Sequence, residues 1–371
     1  MNARVNAGVT GIAGLVLAVM LGGCGRQSTE ADYERQLQAE AAARANDPAW
    51  KASHTETAVI RVGGEQGRKL LHNFCVNKDG NLLACWGGKY RPAKKAAELT
   101  ELTAIKVFSP EGKLLETWPL DFQPQAICVQ PAGSVIVGGK GRLAKLEASG
   151  KTLLTGTSPA LDQPPMSDDE IAALLKEMKQ SASELERYKT SLARRRNDIT
   201  GLAATDQDVF IACAAPKGFA YAVYRVDQEF KNPKLVVDKL GGCCAQMDIA
   251  TRDGKLWVAH NGRHRVECYD RDGKKLASFG KTDRKAADGF GGCCEPKNLR
   301  IASNGDVFAA ESGPPVVIKR FTPEGKFLGV MAAPTFDSGC VRVTVDFSPD
   351  GKRFYLLDPD ADAIHVFVAK N

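Results

Sequence analysis

Short apolar runs separated by glycine-containing turns fill most of the chain from residue 57 onward. In the clearest stretch, four such runs follow one another, with turns at Asn304-Gly305 and at Pro323-Glu324-Gly325. Runs of this length bounded by turn residues predict β-strands joined by hairpins. The four runs are Leu299 to Ala302, Val307 to Ala310, Val316 to Phe321 and Phe327 to Met331.

The same order of runs and turns occurs one period earlier, with turns at Asp253-Gly254 and Asp272-Gly273. A four-strand unit that repeats about every 45–50 residues is typical of a β-propeller blade. The sequence therefore predicts two consecutive blades here. The runs of the earlier copy are Met247 to Ala250, Leu256 to Ala259, Arg265 to Tyr269 and Leu276 to Phe279.

Similar groups of runs elsewhere bring the count to six blades, and the sixth ends within about three residues of the C-terminus. Closing the ring requires a strand from near residue 58 to complete the last blade, which removes exposed sheet edges. The fold class predicted is all-β, a six-bladed β-propeller with one long α-helical insertion and a helical N-terminal tether. The other blades are predicted at 70–118, 125–154, 199–237 and 341–368.

The insertion covers residues 167–198 and has the pattern of an amphipathic helix. Ser167 and Glu170 form a capping box, and Arg194-Arg195-Arg196 stands at the other end. Apolar residues recur every seven positions, which predicts one helix of roughly 28 residues. Its apolar stripe must be buried, either against the rest of this chain or against a protein partner or a second copy through helix 167–196. The stripe consists of Ile171, Met178, Leu185 and Leu192.

The N-terminus has the pattern of an export signal. Arg4 precedes a short apolar segment, Gly11 to Leu21, which ends in Leu21-Gly22-Gly23-Cys24. This tetrapeptide resembles the bacterial lipobox, and the resemblance implies that Cys24 is lipidated and becomes the mature N-terminus. Gly25 in place of aspartate then favours the outer over the inner membrane. A plain signal peptide and an uncleaved anchor are the alternatives.

These features divide the chain into three parts: a lipoprotein signal peptide at 1–24, a tether at 25–56 and the propeller at 57–371. In the tether, Thr29 and Asp32 are suited to begin a helix and Asn46-Asp47-Pro48 to end it. We expect a lipid-anchored protein that faces the periplasm and contacts the membrane through its anchor.

One blade resembles a known repeat. Leu256 to Val266, followed by Tyr269 to Leu276 and by Phe279-Gly280, resembles the NHL repeat, with its Asn and Arg before a strand and its D-x-D-G-K turn. The match is weaker in the next two blades and weakest in the first three. The resemblance implies a six-bladed propeller. It implies no particular activity, because propellers of this kind include binding scaffolds, lyases and hydrolases.

Two cysteine doublets stand out because they lie outside the NHL pattern. Gly241-Gly242-Cys243-Cys244 and Gly291-Gly292-Cys293-Cys294 each precede the first strand of a blade, and Cys340 has a matching place in blade six. First strands line the channel of a propeller, so these five cysteines are a candidate ligand or redox site at one channel mouth. Vicinal disulfides, staples to other cysteines, and a soft-metal site of thiolates all remain open.

Export also changes what the other cysteines predict. Eleven cysteines less Cys24 leave an even number, and disulfides are the default in an oxidising compartment. Cys75 and Cys128 have equivalent places on first strands, and Cys85 and Cys213 on second strands, where core thiols are as reasonable as disulfides.

The chemistry that the sequence indicates is limited. No catalytic order, phosphate loop or haem motif is present, and no cofactor is indicated. The net charge of +6 is mild and no basic run carries aromatics, so nucleic acid is not an expected partner. His260 and His264 form a weak metal pair. Candidate channel-lining polar residues are Asp248, Glu295, Lys297, Arg300 and Glu311.

These observations favour an exported binding or assembly module with paired cysteines near the channel mouth. An enzyme is the less favoured interpretation. In that alternative, a redox-active or metal-dependent propeller enzyme would use Cys243/Cys244 and Cys293/Cys294.

Overall fold

A computed structural model describes residues 35, 39–40, 42–63, 68–90, 99–242, 246–292, 294–313, 316–334 and 342–370. The chain divides into two units, Met1–Ala43 and Arg44–Asn371. In the first unit the described residues, 35, 39, 40, 42 and 43, are helical. The predicted signal peptide with Cys24, and most of the predicted tether, lie outside the described residues. No described helix is long and apolar enough to cross a membrane.

The second unit consists of six antiparallel four-stranded sheets, which confirms the predicted six-bladed propeller. Each sheet is a meander in which successive strands pair. Blade one has β2 (Leu71–Val76), β3 (Leu82–Tyr90), β4 (Leu99–Phe108) and β5 (Leu114–Pro119); blade two has β6 (Ala126–Val129), β7 (Val135–Gly139), β8 (Arg142–Leu146) and β9 (Thr152–Thr157); blade three has β10 (Ile199–Ala204), β11 (Asp208–Ala214), β12 (Tyr221–Asp227) and β13 (Lys234–Leu240).

The two blades predicted most clearly from the sequence have strands within about two residues of the predicted ones. Blade four has β14 (Ile249–Arg252), β15 (Lys255–His260), β16 (Arg265–Tyr269) and β17 (Lys275–Phe279); blade five has β18 (Asn298–Ile301), β19 (Val307–Glu311), β20 (Val317–Phe321) and β21 (Phe327–Ala332); blade six has β22 (Val345–Phe347), β23 (Arg353–Asp358), β24 (Ala363–Ala369) and β1 (His54–Arg61).

The ring closes through β1, the strand that the sequence predicted near residue 58. It pairs antiparallel with β24 from His54 opposite Ala369 to Arg61 opposite Ala363. The chain therefore ends its last blade with its own first strand, and that blade has the same four strands as the others. A 3₁₀ turn, Pro48–Trp50, precedes β1.

The first strand of each blade lies innermost, and these strands contact one another around the channel in the order β2, β6, β10, β14, β18 and β22. We call the end of the ring at which they begin the doublet face, because both cysteine doublets precede such strands. Each second strand runs antiparallel to the first, so the loops after second strands return to this face. The end at which the inner strands finish is the opposite face.

The hydrophobic core is divided among the interfaces between neighbouring blades. Ile136 and Leu143 of blade two, for example, pack with Ile199 and Val209 of blade three. Six clusters of this kind connect all six blades around the ring. Each blade is therefore stabilised mainly by the two blades beside it.

The repeated turn sequence has a steric role between blades. In the turn after β16, Asp270 Oδ1 accepts hydrogen bonds from the amides of Asp272 and Lys274. Gly273 has a φ of +92°, and a Cβ there would lie 1.8 Å from the carbonyl oxygen of Val236 in the preceding blade. Only glycine fits both the backbone conformation and the close approach.

The prediction of one 28-residue helix is wrong, because the insertion folds back on itself. After α1 (Pro159–Asp162), α2 (Asp168–Glu177) begins at the predicted Ser167–Glu170 capping box, and α3 (Leu185–Arg196) follows a 3₁₀ turn, Ala182–Glu184. Lys179 has a φ of +56°, which ends the first helix. Ile171 and Leu192 of the apolar stripe pack with Leu175 and Tyr188 inside the hairpin, and Leu185 and Phe219 pack against them. Met178, the remaining residue of the stripe, is exposed.

Removing β1 should destabilise the ring much more than removing the residues before it. A chain that starts at Val62 loses the ladder with β24 and the burial of Ile60, together on the order of 5 kcal/mol. We expect thermal unfolding, followed by circular dichroism, to show a lower Tm and aggregation through the exposed edge of β24. A chain that starts at Lys51 is the control and should retain most of the stability. Equal Tm values for the two chains would contradict the role given to β1.

Candidate functional site

The candidate site is at the doublet face of blades four and five. Of the predicted cysteines, Cys243, Cys244, Cys293 and Cys340 lie outside the described residues. The glycines of both doublets and Cys294 are described, and Cys294 is buried. The described part of the site consists of the doublet glycines, Cys294 and the groups that hold the glycines in place.

The first doublet loop is held by the loop after β15. The amide of Gly241 donates to Nε2 of His260 at 3.0 Å, and the amide of Gly262 donates to the carbonyl of Gly241 at 3.0 Å. A Cβ on Gly262 would lie 2.5 Å from the carbonyl group of Gly241, so this pairing requires glycine. Both polar backbone groups of Gly241 are thus fixed by residues 260–262.

His260 is itself fixed by a buried carboxylate. Its Nε2 accepts a hydrogen bond, so Nδ1 carries the proton and donates to Oε2 of Glu267 at 2.9 Å. Tyr269 Oη and Lys275 Nζ donate to Glu267 at 2.6 Å each. Burial alone would raise the pKa of Glu267, but the hydrogen bonds from His260, Lys275 and Tyr269 outweigh it and lower the pKa to about 2. The carboxylate is therefore ionised and holds the imidazole in one orientation.

The second doublet loop is held in the same way with other residue types. The amide of Gly291 donates to Oε2 of Glu311 at 2.7 Å, and Glu311 forms an ion pair with Lys319. Lys319 is 1% exposed and also donates to the carbonyl of Gly289. An ion pair this deeply buried costs desolvation, which close geometry and additional hydrogen bonds must offset.

The strand register shows that the two arrangements are equivalent. His260 and Glu311 are each the last residue of a second strand. Glu267 lies opposite Val258, two residues before His260, and Lys319 lies opposite Ala309, two residues before Glu311. Blades four and five therefore hold their doublets with the same two positions, occupied by a histidine and a carboxylate in one and by a carboxylate and a lysine in the other.

Further hydrogen bonds connect the two doublet loops to each other and to blade six. His264 Nε2 lies 3.2 Å from the carbonyl of Gly292. The Gln246 side chain donates to the carbonyl of Val343 at 2.8 Å and accepts from its amide at 3.2 Å. The contacts of His260 and His264 are thus with the backbone of two different doublets. Among the described residues, no group of three or more His, Cys, Asp or Glu side chains has the arrangement of a metal site.

Glu295, directly after the second doublet, is a buried acid with an uneven environment. Its Oε1 accepts hydrogen bonds from the amide and hydroxyl of Ser312 at 3.0 and 2.9 Å and from the amide of Gly313 at 3.1 Å. Oε2 is buried, and no residue that the structure describes forms a hydrogen bond with it. Burial raises the pKa of Glu295 to about 8, and neighbouring Glu311 adds to the shift while Lys297 opposes it. The environment of Glu295 therefore favours the neutral acid at neutral pH.

The other predicted polar residues lie deeper in the ring. Lys297 is 0% exposed. Asp248 accepts hydrogen bonds from the Asn298 side chain, the Leu299 amide and Arg300 Nη1 at 2.5, 3.1 and 2.9 Å. Of these five residues, Glu295 and Glu311 contact the described glycines of the second doublet.

The remaining cysteines are thiols. Burial raises the pKa of Cys85 above its usual value and those of Cys128 and Cys213 to about 12, which keeps all three protonated. Cys75 and Cys268 are thiols as well, so the default expectation of disulfides is not met by these five residues.

Sequence reasoning missed Glu267, Tyr269, Lys275, Ser312 and Lys319. The charges of Glu267 and Lys319 on the third strands were a weak signal, because the same strands also carry Arg265 and Arg320. Only the strand register shows that Glu267 and Lys319 face the ends of the second strands, and the hairpin turns set that register.

Comparison with known proteins adds to the fold only. No protein-family model matches the sequence, and no curated protein matches it. A chain in a crystal structure of a mitotic checkpoint complex is 10% identical, with a TM-score of 0.50, and the match covers 88% of this chain and 97% of that chain. At this identity the likeness shows the β-propeller fold alone.

Two enzyme structures have lower scores and carry no argument. A gluconolactonase from Xanthomonas campestris is 11% identical, covering 85% of this chain and 99% of that chain, with a TM-score of 0.47. A streptogramin B lyase is 12% identical, covering 87% and 100%, with a TM-score of 0.48. The protein is thus a six-bladed, all-antiparallel β-propeller with two equivalent loop supports at one face.

Glu295→Gln should change how stability depends on pH. The folded-state pKa lies above the unfolded value, so the wild type binds more protons when folded and loses stability as pH rises from about 4.5 to 8, by at most about 1.4 kcal/mol per pH unit. Glutamine retains Oε1 for its three donors and cannot ionise. We expect urea unfolding to show a smaller loss between pH 5 and 8 in the variant, which should be the more stable protein at pH 8.

Glu267→Gln is the control, because the pKa of Glu267 is lowered on folding. Its ionised form contributes stability above about pH 4.5, and this contribution is lost as pH falls toward 2. The control should therefore leave the slope between pH 5 and 8 unchanged. An unchanged slope in Glu295→Gln would show that the acid is ionised in the folded protein.

Proposed function

We propose that the protein is an exported, lipid-anchored binding or assembly module that recognises its ligand at the doublet face. The observation that carries this proposal is the equivalent support of the two doublet loops by His260 with Glu267 and by Glu311 with Lys319. Charged groups do not occupy these positions in every blade, because the second strands of blades two and three end in Gly139 and Ala214. The second strand of blade six ends in Asp358, which forms an ion pair with His365. In blades four and five, the buried charged groups lower folding stability through their desolvation and fix the position of two surface loops.

Fixed loops are what a binding site needs, because a pre-organised surface loses less conformational entropy when a ligand binds. The alternative of a redox-active or metal-dependent enzyme depends on the cysteines of the doublets. The next experiment tests whether ligand binding depends on these cysteines.

A photo-crosslinking amino acid at position 263 should capture the ligand. Arg263 is exposed in the loop after β15 at the doublet face, and Asp253 is an exposed residue of the same blade at the opposite face, which makes it a matched control. In intact cells that make the full chain, we expect adducts from position 263 and not from 253. Replacing Cys243, Cys244, Cys293 and Cys294 by serine should abolish them. Identical adducts from both positions, or adducts unaffected by the serines, would contradict binding at the doublets.

The anchor is tested separately. Because a lipidated cysteine carries several acyl chains, wild type should sediment with the outer membrane. Cys24→Ala should not be lipidated, and the chain should lose incorporation of labelled palmitate. Ser28→Ala, close by in the predicted tether, is the control and should behave like the wild type. Palmitate incorporation that persists in Cys24→Ala would refute the lipobox.

Helix 167–196 remains a proposed surface for a protein partner or a second copy. Since most of its apolar stripe is covered within the hairpin, such a partner would contact the exposed residues of the hairpin, which include Met178, Arg187 and Lys189.

A further inference from the structure

A second candidate site lies at the opposite face, away from the doublets. A cavity of about 310 Å³ is lined there by the ends of all six inner strands. This volume is within the range of small-molecule pockets. The chemistry of its wall comes from Cys75, Cys128, Leu202, Ile249, Arg300 and Asp346.

Arg300 has one side bound and one side facing this cavity. Its Nη1 donates to Oδ2 of Asp248 at 2.9 Å and to the carbonyl of Leu299 at 2.8 Å. Nε and Nη2 donate no hydrogen bond to any residue that the structure describes, and Nε lies 3.8 Å from Oδ1 of Asp346, beyond hydrogen-bonding distance. The side chain is 16% exposed, so solvent reaches it.

The nearby carboxylate of Asp346 forms a long ion pair with this edge of the guanidinium and no hydrogen bond. Its Oδ2 accepts from the amide of Val76 at 2.8 Å and its Oδ1 from the amide of Phe347 at 2.9 Å. Two backbone amides therefore fix Asp346, and Arg300, which lines the cavity, keeps Nε and Nη2 as donors that no described residue accepts. A guanidinium edge with two parallel N–H groups matches the two oxygens of a carboxylate.

The rest of the wall is mixed. Asp346, Gln130 and Thr251 are polar, Leu202 and Ile249 contribute apolar surface, and Cys128 is a half-buried thiol whose pKa burial raises to about 12, so that it carries no charge. The donors of Arg300 and the apolar side chains together suit a ligand with one anionic end and an apolar body.

We propose that this cavity binds a small carboxylate, whose oxygens accept hydrogen bonds from Nε and Nη2 of Arg300 and whose apolar part packs against Leu202 and Ile249. Because Asp248 and Asp346 already offset the charge of Arg300, a ligand with a single carboxylate binds with a dissociation constant of about 1 mM. This site does not depend on the proposed function, because it lies at the other end of the channel.

Benzoate is the probe, and benzamide, which has the same shape and no charge, is its matched control. Calorimetry on the folded propeller, residues 26–371, should show benzoate binding and at least tenfold weaker binding of benzamide. Arg300→Lys keeps the charge but lacks the fork and should weaken benzoate binding about tenfold. Arg320→Lys, on β20 and outside the cavity, should bind benzoate as the wild type does.

A second measurement does not require any variant. Methylmercury labels thiols, and peptide mapping reports the rate at each cysteine. Benzoate should slow labelling of Cys128 and leave buried Cys213, which does not line the cavity, unchanged. Replacing the four doublet cysteines by serine should leave benzoate binding unaltered, which separates this site from the doublet face. Equal binding of benzamide and benzoate, or no protection of Cys128, would overturn the proposal.

Discussion

The structure depends on the antiparallel pairing of the first strand with the last. Without β1, blade six would have three strands, β24 would be an open edge, and the core between blades six and one would lose Ile60. Because the core is divided among six blade interfaces, a gap at one interface exposes apolar surface on two blades. Closure is therefore what makes six individually small sheets into one stable ring.

On that closed ring, buried charged side chains support the loops of the doublet face. His260 with Glu267, and Glu311 with Lys319, occupy equivalent positions but have unlike charges. The shared element is an acceptor that faces the amide of the first doublet glycine and a buried group that fixes the acceptor. The two blades thus place an acceptor at the same position, and they do so with different residue types. Glu295 differs, because its environment favours the neutral acid.

Much of the fold could be predicted from the sequence, because hairpin turns and strand patterns are local signals. The strands of blades four and five and the closing strand are examples. The hairpin shape of the insertion could not be predicted. Heptad spacing indicates an apolar stripe, but it does not show that the chain turns at Lys179 and that the two helices pack against each other. The doublets and the polar channel residues could be singled out as a candidate site. The side chains that hold the doublet loops, and the donors of Arg300 at the opposite face, could not be predicted. They depend on the register between strands and on contacts between blades.

Closure by β1 also sets an order of events during synthesis. The partners of His54 and Arg61 are roughly three hundred residues away in sequence, at Ala369 and Ala363. Contacts so distant in sequence form late, after five blades have already stacked. The first strand must therefore wait, unpaired, until the final residues of the chain have emerged, so a nascent protein that lacks only its last few residues is an open arc with two reactive edges. A chain that lacks β24 therefore has open sheet edges at both β1 and β23.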